Sequence, residues 1–399
     1  MIILVLNCGS SSIKYQLIDM SDKSTLLAKG LVDRVGLAQS LIKHKPVGKD
    51  VYESVEPIAD HTEGIRLVLN ALIDPEHGVI DSVDQVGGVG HRVAHGGEFF
   101  PDSCVVDDEV RAKIRSLFEI APLHNPANLA GILSIDKAMP GVRQVAVFDT
   151  SFHQSLPPVN YLYALPYKYY EKYRVRKYGF HGTSHKFVAR EGAKFAGVDY
   201  ESSKIITCHI GNGSSITAIK DGLSFDTSMG FSPLDGLMMG TRSGSLDVSA
   251  AIYVAEREEM NYEQLTSMLN KQSGVLGLSE ISSDMRDLDN AYDAGNERAI
   301  LTRDMYYERI RRYIGQYAAL MGGVDLIVFT GGVGENSDNL RRVACHGLEF
   351  MGVEIDLEAN AGVREQDKML SKPSSKAKIV VIQTDEEMVI AKDTYRLLN

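Results

Sequence analysis

The chain is poor in cysteine and never places two of them close together: Cys8, Cys104, Cys208 and Cys345 form no C-x-x-C pair. A disulfide framework and a structural zinc site are therefore not expected, and the usage fits a reducing cytoplasm. Long apolar runs are missing as well. The apolar start ends at Asn7 and has no basic leader, so neither a signal peptide nor a membrane span is expected. Positive charge is in deficit, with 42 Lys and Arg against 53 Asp and Glu and a formal net charge of −11. That balance argues against general binding of nucleic acid or an anionic membrane. The P-loop pattern G-x-x-x-x-G-K-[ST] is absent from the whole chain, and no Ser-His-Asp ordering, Schiff-base lysine context or redox motif stands out.

What is present begins with the first eighteen residues. An apolar run reaches Asn7, breaks into Cys8-Gly9-Ser10-Ser11-Ser12, and leaves through Ile13-Lys14-Tyr15 as alternating apolar and polar residues. The pattern reads as a β-hairpin with a Gly/Ser tip. Such a tip offers unobstructed backbone N–H groups, hydroxyls and a lysine to a polyphosphate. Asn7, at the strand end, is placed for a metal-bound water or a phosphate oxygen. Taken alone it is equally well a plain surface turn. The design recurs, however, at 205–219, where Cys208-His209-Ile210 runs into Gly211-Asn212-Gly213-Ser214-Ser215 and out again. Two matching hairpins in two halves suggest a duplicated scaffold closing on one phosphate chain. A length of 399 residues allows two or three domains.

An acidic protein that handles polyphosphate must gather positive charge locally, so arginines framed by glycines are the ones to follow. Segments 25–32, 41–45 and 50–57 read as strands extending the first sheet, and 65–73 as a helix packed on it. Arg92 sits on a strand between Gly87-Gly88-Val89-Gly90 and Gly96-Gly97. His91 and His95 are four apart, but the flanking glycines and the lack of an H-E-x-x-H glutamate argue against a metal pair. A helix is expected over 107–120 and another over 127–137. His124, between Pro122 and Pro126, is an active-site position or a loop contact. The buried-type strand 144–148 ends at Asp149, where α/β sheets commonly place ligand-binding groups. That aspartate is a metal-water or acid/base candidate, or simply a helix cap. The Tyr- and Pro-rich stretch 157–178 reads as the crossing to a second domain. His181 follows between Phe180 and Gly182, and Arg242 lies in a long glycine-rich loop that also holds Pro233. Segment 248–320 is mostly helical in period. The strand 324–330 meets a glycine turn, Gly331-Gly332-Val333-Gly334, with a helix expected beyond Asn336, a nucleotide-docking pattern. A final strand leads to Asp385-Glu386-Glu387, acids that serve a helix dipole or a cation.

These parts suit phosphoryl transfer, which needs in-line positioning and charge neutralisation. At this point the chain resembles the acetokinase family over essentially its whole length. The motifs are N-C-G-S-S-S-I-K at 7–14, H-R-V-A-H-G-G-E at 91–98, A-P-L-H-N-P at 121–126, F-D-T-S-F-H at 148–153 and Y-G-F-H-G-T-S-H at 178–185. They continue with H-I-G-N-G-S-S at 209–215, M-M-G-T-R-S-G at 238–244, S-S-D-M-R-D at 282–287, G-G-V-G-E-N at 331–336 and T-D-E-E at 384–387.

The resemblance implies two related α/β domains of the actin/hexokinase/sugar-kinase (ribonuclease H-like) type with ATP in the interdomain cleft. The domain division expected is 1–150 with 385–399, and 151–384. It implies reversible transfer of the ATP γ-phosphate to acetate, giving acetyl phosphate and ADP, with Mg²⁺ or Mn²⁺, in a cytoplasmic homodimer. By that similarity Asn7 and Glu386 belong to the metal site, and Ser10, Ser12 and Lys14 lie near the phosphates. Arg92 is the acetate-carboxylate ligand, with Pro233 also at the substrate. Arg242 and His181 stabilise the transferring phosphoryl, with His124 nearby, and Asp149 is the active-site acid/base residue. The nucleotide is held by His209, Ile210, Gly211, Asn212 and Gly213, by Asp284, Met285 and Arg286, and by Gly331, Gly332, Val333, Gly334, Glu335 and Asn336. A carboxylate acceptor with a pKa near ~4.3 arrives ionised and needs no general base, so Asp149 is expected to act through the metal or its waters. The sequence departs from the family pattern at Ala94, where a second valine is common, and at Ser245 and Val248, where Asp and Pro are frequent. Ala94 would widen the acyl pocket, so a propionate or butyrate kinase is the near alternative. An actin- or chaperone-like ATPase is the distant one.

Overall fold

Strand β1 (Ile2–Cys8) forms because its side chains find apolar partners on both sides, as period-two alternation requires. Leu4, Leu6 and Cys8 pack with Ile65, Val68 and Leu72 of the helix His61–Leu72. Ile3 and Val5 point the other way, into Ile390, Ala391 and Leu398 of the C-terminal helix Glu386–Leu398. Each such buried side chain contributes about 1.5–3 kcal/mol over an exposed one. The computed structural model describes residues 1–21 and 24–399. They form two compact units, one of residues 1–151 with 385–399 and one of residues 152–384.

The first unit is an eight-stranded sheet. After β1 come β2 (Ser12–Asp19), β3 (Thr25–Asp33), β4 (Ser40–Pro46), β5 (Tyr52–Glu56), β6 (Val86–Val93), β7 (Cys104–Val105) and β8 (Gln144–Phe148). Their order is β5-β4-β3-β2-β1-β6-β8-β7. The five strands on the hairpin side are antiparallel, β1, β6 and β8 run parallel, and β7 closes the far edge antiparallel. In the first hairpin Cys8 pairs with Ile13 and Asn7 with Lys14.

The second unit repeats this order with β9 (Lys204–Ile210), β10 (Ser214–Lys220), β11 (Leu223–Thr227), β12 (Leu326–Thr330), β13 (Lys368–Met369) and β14 (Lys378–Val381). The sheet runs β11-β10-β9-β12-β14-β13, again an antiparallel ribbon, then parallel neighbours, then an antiparallel edge. One face is covered by the helix Glu297–Met321. Asn296 caps its start through Ala299 N–H, and Gly322 ends it at φ +74°. Its Tyr306, Tyr307, Ile310, Ile314 and Tyr317 pack with Ile206, Cys208 and Ile210 of β9. The other face carries the helix Gly182–Ala196, whose Val188, Ala189 and Ala193 meet Ile205 and Val328.

Both hairpins, the strands of 25–57 and the strand carrying Arg92 are as the sequence suggests. Two expectations differ. The helix expected over 107–120 is Asp108–Ser116, because Leu117 folds its N–H back onto Ile114 and Arg115 and ends the run. The glycine turn after Thr330 is itself a helix, Gly331–Asn336, followed by a separate helix, Asp338–Cys345, capped by Ser337. Glycine's permissiveness masks the helical start in the sequence. Among the described residues no helix is long and apolar enough to cross a membrane.

Candidate active site

In the first unit the tip between Cys8 and Ser12 is closed by Gly9 N–H donating to Ser12 O at 2.8 Å. Two side chains pin it from behind: His61 Nε2 donates to Gly9 O and Asn128 Nδ2 to Cys8 O, both at 2.7 Å. Ser10 and Lys14 are exposed, while Ser12 and Asn7 are half-buried. The hairpin is therefore a braced platform rather than a loose turn.

Arg92 leaves β6 beside the end of β8, and Asp149 follows β8 directly. Arg92 Nε and Nη2 donate to the two oxygens of Asp149 at 2.9 and 2.7 Å, a bidentate pair in which Asp149 is 3% exposed. The expectation that Asp149 faces a metal thus meets a carboxylate with both oxygens already engaged. Asp149 pushes the Arg92 guanidinium further up, and Glu386 and Glu387 add to it, so this arginine is permanently charged. Glu386 opens the C-terminal helix, where Asp385 caps Met388 N–H at 2.9 Å. Burial raises the Glu386 carboxyl, with the Asp149 charge adding, while Arg92 and Lys14 pull against that rise. Lys14, Arg92, Asp149 and Glu386 are thus one electrostatic group within this unit. His124 is the N-cap residue of the helix Asn125–Ala138. His91 is buried and bonded through Nε2 to Gln144 Oε1 at 2.7 Å. Buried His95 takes the Gly97 N–H on Nδ1 at 3.0 Å.

In the second unit His181 holds φ +57° at the N-cap of Gly182–Ala196, a left-handed conformation uncommon outside glycine. Its Nδ1 is 2.9 Å from Ser215 Oγ, and its ring lies on that of His209 at 4.3 Å between centroids. Arg242 is anchored by Nη1 to Pro233 O at 3.3 Å, which brings those two predicted residues together. A carbon added to Gly213 would stand 3.6 Å from both Arg242 Nη1 and His181 Nε2. The guanidinium and the imidazole therefore converge on the second hairpin's tip.

The same tip borders a cavity of about 940 Å³. Of the expected nucleotide residues, Gly211 and Asn212, the run Asp284, Met285 and Arg286, and Gly332, Val333 and Asn336 line it. His209, Ile210, Gly213, Gly331, Gly334 and Glu335 are not among its lining residues. Ile210 is buried in the core, and Glu335 Oε1 accepts from Gly331 N, Thr330 Oγ1 and Thr384 N at 2.9, 3.2 and 3.0 Å. The sequence reading missed Gly240, Asp289, Arg303, Tyr306 and Arg364 on the cavity wall. It also missed Arg341, a fully buried side chain that donates to Gly334 O and Glu335 O at 2.9 and 2.8 Å and to Asn360 Oδ1 at 2.7 Å. Gly240 lies in the motif at 238–244 without being singled out, and the others are scattered between Asp289 and Arg364 with no motif to flag them.

A guanidinium and an imidazole aimed at one phosphate-type tip, beside a nucleotide-sized cavity on a sheet of this strand order, define a phosphotransferase of the actin/hexokinase-like ATPase fold. The model of the acetokinase family matches residues 2–392, and the chain belongs to that family. It is 54% identical to an acetate kinase of Phocaeicola vulgatus over 100% of this chain and 99% of the relative. The crystal structure of Porphyromonas gingivalis acetate kinase is similar over 100% of both chains, at 47% identity and a TM-score of 0.96. A propionate kinase from Francisella tularensis matches over 99% of both, at 37% identity and a TM-score of 0.91.

Proposed function

We propose that the protein catalyses reversible, direct in-line transfer of the ATP γ-phosphate to acetate, giving acetyl phosphate and ADP, in the metabolism of acetate and acetyl-CoA. The observation that carries this reading is the convergence of His181 Nε2 and Arg242 Nη1 on the Gly213 tip, beside the cavity. Acetate is already ionised near neutral pH, so the difficulty is repulsion between two anions rather than a missing base. Arg92 takes the acetate carboxylate through Nη1, and Asp149 is the positioning residue that holds Nε and Nη2. Arg242 and His181 stabilise charge on the transferring phosphoryl, with His124 assisting and Pro233 seating Arg242. Ser10, Ser12, Lys14 and residues 209–213 hold the phosphates, and the cavity takes the nucleoside.

Asn7 and Glu386 present the hard oxygen donors that suit Mg²⁺ or Mn²⁺. Among the described residues no group of three or more His, Cys, Asp or Glu forms a metal cage, so the protein supplies part of a shell that phosphates and water complete. The ion, when bound, neutralises phosphate charge. The enzyme is proposed to work in the cytoplasm as a homodimer. The helices Val248–Arg257 and Tyr262–Lys271 bury no residue, yet expose Val248 (71%), Ile252, Tyr253 and Tyr262 (78%), a surface suited to a second copy. Light scattering of wild type and Ile252→Asp tests this, with a monomeric wild type the contrary outcome.

The test of the activity is trapping with hydroxylamine: ATP and acetate together should give acetyl hydroxamate. ATP turnover that is equally fast without any carboxylic acid, with no hydroxamate, overturns the reading. A propionate preference is the second reading, favoured by Ala94 and by the likeness to a propionate kinase. The ratio of kcat/KM for acetate and propionate decides it, since one methylene is worth only ~1–3 kcal/mol.

A further inference from the structure

Behind His181 lies a file of buried groups that the reaction above does not use. Thr207 on β9, Ser215 on β10 and His185 on the helix Gly182–Ala196 are each 0% exposed. Thr207 Oγ1 is 2.7 Å from His185 Nδ1, His185 Nε2 is 2.7 Å from Ser215 Oγ, and Ser215 Oγ is 2.9 Å from His181 Nδ1. Helix and hairpin fix this spacing. His181 and His185 are one turn apart, and Ser215 stands opposite His209 in the β9–β10 register.

The direction of the file follows from its protons. A hydroxyl carries one, and a neutral imidazole one. Burial, with the neighbouring His153 and His209, holds His185 well below the ordinary histidine range, so its ring is neutral. Among the described residues, Thr207 Oγ1 has a single hydrogen-bond partner, His185 Nδ1. If that hydroxyl accepted, its own proton would be sealed in the core with no acceptor, which folded proteins avoid. Thr207 therefore donates, His185 keeps its proton on Nε2, and that N–H donates to Ser215 Oγ. Ser215 then gives its own proton to His181 Nδ1. The reversed file strands the Thr207 proton, and a file in which both histidines donate to Ser215 strands the serine proton. Only one arrangement leaves every group satisfied.

We infer that Thr207, His185 and Ser215 form a relay that fixes the tautomer of His181, so that a neutral imidazole presents Nε2–H at the Gly213 tip. His181 is then a donor prepared in advance for charge that grows on a phosphoryl oxygen, and not a base. The three relay residues are positioning residues. Their value to catalysis rests on the reading that His181 faces the transferred phosphoryl, but the tautomer itself does not.

Two-bond ¹H–¹⁵N correlation spectra of the full-length protein with ¹⁵N-labelled histidine read the tautomer directly, with His181→Gln and His185→Gln supplying the assignments. Both rings should show the Nε2–H pattern near neutral pH. An Nδ1–H or doubly protonated pattern for either overturns the inference. Thr207→Val keeps the shape and removes the donor. It should lower kcat by roughly tenfold while moving KM for acetate and ATP less than about twofold, and Thr207→Ser should restore kcat. An unchanged His181 pattern and unchanged kcat in Thr207→Val overturns the relay, as does an equal loss in Thr207→Ser, which would mark a packing defect. If the spectra show Nε2–H but His181→Gln keeps full activity, the relay stands and the catalytic role of His181 fails.

Discussion

The two units build the same strand order and put opposite chemistry on it. At the second pair behind each tip, the first hairpin faces Asn7 with Lys14 and the second faces His209 with Ser215. Around the first, formal charges dominate: Asp149 and Glu386 push the Arg92 guanidinium up, while Arg92 and Lys14 oppose the rise that burial imposes on Glu386. Around the second, imidazoles and hydroxyls are threaded together by Ser184, Thr207 and Ser215, with Arg242 the cation at the tip. The positions after the last parallel strands differ likewise. Asp149 after β8 clamps an arginine, whereas Thr384 after β14 bonds Ser184 Oγ at 3.0 Å and gives its N–H to Glu335. A duplicated backbone thus fixes where reactive groups are displayed, and the side chains at matched positions decide whether a unit handles net charge or oriented dipoles.

The sharpest way to break this contrast is to remove its cations. Arg92→Ala and Arg242→Ala should each lower kcat/KM by roughly 10³-fold or more in the hydroxamate assay. Arg92→Lys should rescue little, because a point charge cannot span both Asp149 oxygens. A loss under tenfold at Arg92 would mean that charge in the first unit is structural only. The next effect is on stability. Arg341→Met strands four acceptor oxygens in the second unit, and should cost about 4 kcal/mol in denaturant unfolding. It should also raise KM for ATP more than KM for acetate, since the helix Gly331–Asn336 loses its anchor.

Acid acts next, through a histidine sealed in the first unit's core. Burial holds His91, in the first unit, down at about 4 against 6.5 for a free ring. The unfolded chain therefore binds the extra proton between those values. The stability due to the neutral ring is whole above about pH 6.5 and is lost as pH falls towards 4, by up to about 3 kcal/mol. Unfolding midpoints of wild type and His91→Gln across that window check this, and equal slopes would refute it. His91 shows the limit of reading the chain alone. Its spacing with His95 is that of a ligand pair, the flanking glycines already argue against one, and only the fold reveals that Gln144 and the core claim the ring.

The hairpins were legible because alternation and small tip residues are local signals, and the family motifs supplied Arg92, Asp149, His181 and Arg242 by name. What stayed hidden depends on distant pairing. Nothing near Asp149 announces that both its oxygens meet Arg92, 57 positions away. Nothing near Thr207 announces His185. The run Gly331–Asn336 looked like a turn since its first four residues include three glycines, and its helix is tied down by Glu335 at Gly331 N–H and by the distant Arg341 at Gly334 O.

The smallest effect is also the finest probe of that run, for adjacent glycines there do unlike things. Gly331 has φ +79°, and a Cβ on it would lie 2.8 Å from Ile210 O and 3.0 Å from Ile210 N, backbone that cannot yield. Gly331→Ala should therefore destabilise, by roughly 1–3 kcal/mol, with no help from ligand. Gly332 has an ordinary φ, and a Cβ there meets nothing within 4 Å. In the free protein Gly332→Ala should be neutral or stabilising by up to about 1 kcal/mol, because alanine costs less entropy to order. The added methyl projects beside the cavity, so its penalty should appear as a raised KM for ATP with KM for acetate unmoved. Thermal unfolding without nucleotide, set against KM for each substrate, separates the two roles. If Gly332→Ala lowers the melting temperature as much as Gly331→Ala does, the open space at Gly332 is not what sets that position.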